Sequence, residues 1–358
     1  MRPWMLLAAK AVLVAAAVAF VAFLPRLLSD FRASQFALVA IYLVALLGLN
    51  VLIGFSGQIS LGHGAFMAVG GYVTAILVSD QGLHVAGHTF SSDMRDLWTI
   101  PIAGLVAGLA GVLFGIPALR LSGLYLALAT FAVAVALPQV IRKFEGFTGG
   151  SSGINLFGLP TLSGLGVEVT FLGRTLTYND WLYYLTWTSA LVLLVVAWAL
   201  LRGRTGRALR AVRDSELAAA SSGVNLAAFK TLAFGVSAFY AGVAGSLLAL
   251  HVTFVNPEVF PITLSIFLLV GVVVGGLGSL WPLVAGALFI VYVRDLTDRA
   301  AELGWLPGLA QDFFARPGSR DVVFGAALIV VMFLLPTGLG GLVARALGPL
   351  TSRGYTRP

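Results

Sequence analysis

The stretch ASQFALVAIYLVALLGLNVLIGFSGQISLGHGAFMAVGGYVTAILVS, Ala33 to Ser79, runs 47 residues without a formal charge. At a helical rise of about 1.5 Å per residue it far exceeds a hydrocarbon core of about 30 Å. It must therefore be two membrane crossings with a break between them. Gly54, Gly57, Gly62 and Gly64 mark the break, since clustered glycines interrupt a helix. Around it gather Asn50, Ser56, Gln58, Ser60 and His63. Non-helical backbone at membrane depth is tolerated only against protein or a water-filled cavity. These five polar residues thus either line such a cavity or only satisfy the interrupted backbone.

Working outward, the other uncharged stretches cover residues 11–25, 97–119, 121–141, 181–201, 231–257, 259–293 and 322–344. The first resembles a signal peptide, but with so many spans behind it an uncleaved first helix is expected. The turn-like GGLGSLWP (Gly275 to Pro282) divides 259–293 into two, with Pro282 at the first helical turn. The expectation is an all-α, polytopic membrane helix bundle of about ten transmembrane helices, with broken helices and a cytoplasmic surface helix.

Composition agrees. Of the 358 residues 59% are hydrophobic and 10% charged, and mean hydropathy is +0.97. Soluble domains carry about 25% charged residues. A soluble enzyme, a disordered chain and a coiled coil are excluded. Without cysteine there is no disulfide, thiolate zinc site or iron–sulfur cluster. The net charge of +7 points to cytoplasmic loops facing anionic headgroups rather than to nucleic acid.

With ten crossings, both termini share one side. That side holds twelve of the 22 Lys and Arg residues in short segments, with only Asp214 and Glu216 as acids, which places both termini in the cytoplasm. Trp181, Tyr183, Tyr184 and Trp187 suit either an aromatic belt or simple core packing. Gly104, Gly108, Gly111 and Gly115 line one helix face for close packing.

All 15 Asp and Glu residues fall in the expected loops, which argues against ion-coupled transport through buried acids. His63 is the one ionisable group near the break, and a hydrogen-bonded packing role suits it better than a proton relay. No GxxxxGK[ST], GxGxxG or HExxH sequence occurs and no GxSxG nucleophile elbow is expected, so no catalytic residues and no nucleotide site are expected. His84 and His88 could share a helix face but lack a third ligand, so no metal site is expected.

The longest inside loop spans residues 202–230. Thr205 can cap a helix beginning near Arg207. Leu209, Val212, Leu217 and Ala220 form an apolar stripe, Gly223 ends the helix with a left-handed cap, and Asn225 caps the next, membrane-entering helix. Such a helix lies on headgroups or fits a groove on a soluble partner. The outer loop, residues 142–180, alternates Val167, Val169 and Phe171 with polar residues, suggesting a hairpin turning near Gly173.

The string GRALRAVRDSELAAASSGVNLAAFKTLAFGVSAFYAGVAGSL (Gly206 to Leu247), with Glu216, Ala218, Ala219 and Gly223 in an E-x-A-A-x-x-x-G pattern, resembles the coupling loop of ABC importer permeases. GFSGQISLGHGAF (Gly54 to Phe66), FTGGSSGINLFGLP (Phe147 to Pro160), GGLGSLWP and GAALIVVMFLLPTGLGGL (Gly325 to Leu342) follow in family order. From about residue 36 onward the chain resembles the M-type permease subunit of branched-chain amino acid ABC importers. It departs where Trp281 directly precedes Pro282, where Thr337 follows Pro336, and in lacking a polar residue over Val133 to Leu137.

The resemblance implies a single permease domain over residues 1–358 in the bacterial inner membrane. It implies a homologous second permease, two cytoplasmic ATPase subunits that bind the ATP, and a substrate-binding protein on the outer face. Arg207, Arg210, Arg213, Asp214, Glu216, Ala219 and Gly223 become the candidate ATPase-coupling residues, the arginines through charge-assisted bonds to an ATPase groove. Asn50, Ser56, Gln58, Ser60 and His63 become the candidate pathway residues. The implied cargo is a branched-chain or other hydrophobic amino acid. Urea or a small amide is the alternative, and a stand-alone secondary transporter the more distant one.

Overall fold

In the computed structural model, the described residues are 23–26, 29–79, 83–85, 88–90, 96–121, 123–156, 170–171, 174–175, 177–302 and scattered positions between 322 and 338. Helix α1 (Asp30–Asn50) continues as a π-helical turn (Val51–Phe55), and α2 (His63–Val78) follows the break. Next come α3 (Asp96–Ala118), α4 (Leu124–Lys143) and α5 (Tyr178–Arg202). The loop holds α6 (Arg204–Asp214) and α7 (Glu216–Ser221). Helices α8 (Leu226–Val252), α9 (Ile262–Gly275) and α10 (Leu283–Glu302) follow.

By length and composition six helices can cross a membrane: Asp30–Phe55, Leu97–Ala118, Leu124–Lys143, Tyr178–Arg202, Leu226–Val252 and Pro257–Gly275. His63–Val78 and Leu283–Val293 are apolar but shorter. Most of the expected first crossing lies outside the described residues, and so does most of the last, 322–344. The fold is an all-α polytopic bundle.

Helix α8 is its axis, packed between α2 and α3 with most of its length buried. The glycine stripe of α3 faces it: Gly104 abuts Phe239 and Val243, Gly111 abuts Ala238, and Gly115 abuts Thr231 and Phe234. Gly242 and Gly235 return the fit toward Ala107 and Val112. Small residues here bring two helices close enough for backbone contact, the usual basis of helix association in lipid. By contrast α4 buries a narrow face, including Ala127, Thr130 and Ala134, and leaves Leu124, Tyr125 and Leu128 exposed.

Three short antiparallel pairings decorate the bundle: Leu83–Val85 with His88–Phe90, Ile154–Asn155 with Phe254–Val255, and Thr170–Phe171 with Arg174–Thr175. The last is the hairpin expected near Gly173. His84 and His88 stand on paired strands, not on one helix face. Tyr183 is fully buried in a cluster with Leu24 and Ala37, and the partly buried Trp181 and Trp187 pack on the core.

Two expectations need correction. The acids are not confined to loops: Asp180 forms a capping box with Thr177 in the first turn of α5, and Asp295 sits within α10, accepting from Gln35 Nε2 at 2.7 Å. The loop helix is also two helices. The first begins at Arg204 with Gly203 as its N-cap, so Thr205 lies inside it. It stops at Asp214 because Ser215 turns extended and its Oγ accepts from Ala218 N–H, starting α7 afresh. A serine able to satisfy free amides favours such a cap over helix interior. Leu209 and Val212 are buried as the stripe required, but past the break Leu217 is 86% exposed and Ala220 is exposed.

Candidate functional site at the broken helix

The site begins where α1 loses its ladder. Ser56 Oγ donates to the Leu52 carbonyl at 2.7 Å, and Gln58 Nε2 donates to Ser56 Oγ at 2.9 Å. Gly57 adopts φ +73°, a left-handed conformation that glycine accommodates without penalty. Its N–H returns to Ile53 O, and Gln58 N–H to Leu52 O, both at 3.1 Å. Residues 56–62 are then non-helical until α2 starts at His63.

Single polar residues from three helices hold this segment. Thr130 Oγ1 of α4 accepts from Leu61 N–H at 2.9 Å. Ser265 Oγ of α9 accepts from Gly64 N–H at 2.9 Å. Ser237 Oγ of α8 lies 3.4 Å from His63 Nδ1. Within the segment Ser60 Oγ accepts from Gly62 N–H at 3.3 Å. Asn50 reaches in another direction. Its Nδ2 donates to Ser279 O at 2.9 Å and its Oδ1 accepts from Gly278 N–H at 3.0 Å, fastening the turn between α9 and α10 to the break.

All five candidate pathway side chains are therefore buried and turned toward protein. What the segment exposes is Gly57 and Ile59, the latter 43% exposed. Sequence reading missed Thr130, Ser237 and Ser265. Nothing local singled them out, since α8 also carries Thr231 and Ser246 and α9 also carries Thr263.

The loop helices meet the same end of the bundle. Arg213 Nη1 donates to Gly54 O at 2.9 Å, and Nε and Nη2 donate to Asp214 Oδ1 at 3.1 and 3.0 Å. Arg210 Nη1 reaches Leu201 O at 3.4 Å, and Arg207 is exposed. Glu216 pairs with Lys230 Nζ at 2.7 Å; the lysine side chain is 8% exposed and the glutamate 49%. Ala219 is buried. Gly223, at φ +83°, donates to Ala220 O, and Val224 N–H to Ala219 O, both at 3.0 Å. That doubled bond closes α7 as a Schellman cap. Asn225 Oδ1 accepts from Ala228 N–H at 3.1 Å and opens α8.

This bundle, with its interrupted helix and capped loop helices, corresponds over residues 31–332 to the family described as branched-chain amino acid transport system / permease component. The chain belongs to that family. The permease is 34% identical over 317 residues to the high-affinity branched-chain amino acid transport system permease protein LivM of Escherichia coli K12, covering 84% of this chain and 68% of the relative. It is similarly 34% identical over 314 residues to LivM of Salmonella typhimurium, covering 84% and 67%. It is 25% identical over 318 residues to the permease protein LivH of Salmonella typhimurium, covering 86% and 92%. No solved structure matches this permease. It is thus a multi-pass membrane permease component. Among the described residues no group of three or more His, Cys, Asp or Glu could hold a metal ion.

Proposed function

We propose that the chain is the transmembrane permease subunit of an ATP-binding cassette importer for branched-chain or other hydrophobic amino acids, located in the bacterial inner membrane. The supporting observation is the loop from Arg202 to Lys230. Its two helices leave Leu217 86% exposed at the tip, while its neighbours are held, Ala219 by burial and Glu216 by its pair with Lys230. A large apolar side chain presented on a helical, basic element suits a groove on a soluble partner.

In this reading residues 1–358 form one permease unit with ten crossings and both termini cytoplasmic. Residues 202–230 are the cytoplasmic coupling loop and 142–180 the outer loop. Two ATPase subunits bind and hydrolyse the ATP, a substrate-binding protein delivers cargo from outside, and a homologous permease completes the channel. Similarity to both LivM and LivH, two permease proteins of one type of transport system, supports that pairing. The chain itself supplies positioning and gating, with no catalytic residue and no cofactor of its own.

The test is reconstitution of this permease with its second permease, ATPases and binding protein, followed by uptake of labelled leucine and of labelled urea. ATP-dependent leucine uptake is expected. Uptake of urea alone would reassign the cargo, and uphill transport by this chain without nucleotide would overturn the reading.

A further inference from the structure

Arg213 turns its guanidinium inward. Nη1 donates to the Gly54 carbonyl across 159 residues, while the other edge is held by Asp214. The Gly54 carbonyl is free for this bond because the amides of Gly57 and Gln58 fold back to Ile53 and Leu52 instead. A cation at the carbonyl end of an interrupted helix is also placed where the helix dipole favours it. The aliphatic stem of Arg213 lies against Gly57, where an added Cβ would stand 2.9 Å from Arg213 Cγ. The same guanidinium borders the turn between α9 and α10, its Nη1 3.5 Å from where a Gly278 Cβ would stand, and Asn50 bonds that turn to the break. One side chain of the loop thus bonds the break and stands beside the turn that Asn50 ties to it.

We infer that Arg213 is a positioning strut, which delivers displacement of α6 to the Gly54 carbonyl and so to the non-helical segment 56–62. The ATPase is then met by the outward residues of the loop, while Arg213 carries the motion inward. The inference rests on the importer reading above.

The test uses the complete transporter in proteoliposomes, with binding protein and leucine, reading leucine uptake per ATP hydrolysed. R213A is expected to keep assembly and ATP hydrolysis but to lower uptake per ATP at least tenfold, with R213K in between. Because the chain has no cysteine, a covalent strut can be introduced as G57C with R213C, and the G57C single variant measures separately the cost of a side chain at the left-handed φ of +73°. Their Cβ atoms would stand 3.5 Å apart, within the disulfide range of about 3.5–4.5 Å. The oxidised pair is expected to return uptake per ATP to within threefold of the parent, and reduction to remove it. The inference is overturned if R213A keeps uptake per ATP within twofold. It is equally overturned if uptake and hydrolysis fall in proportion, or if the oxidised pair blocks uptake. Failure of the unsubstituted transporter to couple uptake to ATP would instead overturn the importer reading.

Discussion

Asn50 and Lys230 show how unevenly single residues matter in this chain. Asn50 spends both ends of its amide on the 278–279 backbone. Asn50→Leu leaves those groups without partners, at about 1–3 kcal/mol. A lower unfolding temperature in detergent and reduced yield are expected. The Lys230–Glu216 pair is asymmetric, because the lysine is buried and the glutamate half in water. Glu216→Gln strands a buried ammonium and should cost about 2 kcal/mol or more. Lys230→Met releases a carboxylate that water can solvate, and should cost about 1 kcal/mol or less. Thermal unfolding of the two variants, measured side by side, checks the ordering.

At the scale of elements, local chemistry was legible and distant chemistry was not. Gly223 and Asn225 could be assigned as caps because both act on amides and carbonyls within a few residues of themselves. The break was legible because a 47-residue uncharged stretch has no single-helix solution. Ser215 was not recognised, since a serine also suits the exposed side of a helix. Missing it carried the apolar stripe past its end onto Leu217. The inward aim of Arg213 and the grip of Thr130, Ser237 and Ser265 depend on partners 69 to 201 residues away, which no local pattern encodes. Two predictions belong here. A Cβ added at Gly223 meets no atom within 4 Å, so the main cost of Gly223→Leu is the left-handed backbone, about 1–2 kcal/mol. It should leave assembly intact while abolishing transport-stimulated ATP hydrolysis in proteoliposomes; unchanged stimulation refutes this. Gly242→Leu drives a side chain into Ala103 and Ala107 of α3 and should abolish recoverable protein on size-exclusion chromatography.

For the molecule as a whole, the decisive surface is the tip of the loop. Leu217→Asp alters a side chain 86% exposed in the isolated subunit, so stability should change by about 0.5 kcal/mol or less. If the tip is the ATPase seat, copurification of ATPase subunits should fall at least tenfold while the two permeases still copurify. Retained ATPase binding would place the contact elsewhere.

The interrupted helix also bears on how the protein is made. Synthesis runs from the amino end, yet the anchors of residues 50–64 lie 69, 174, 201 and 228 positions downstream. When that segment leaves the ribosome none of them has been translated. The nascent chain must keep its exposed peptide groups within the wet interior of the insertion machinery, or enter as one overlong helix that breaks only when later partners arrive. Biogenesis of this permease is therefore a waiting problem, and truncation before residue 278 leaves a chain whose first irregular segment never receives its last fastening.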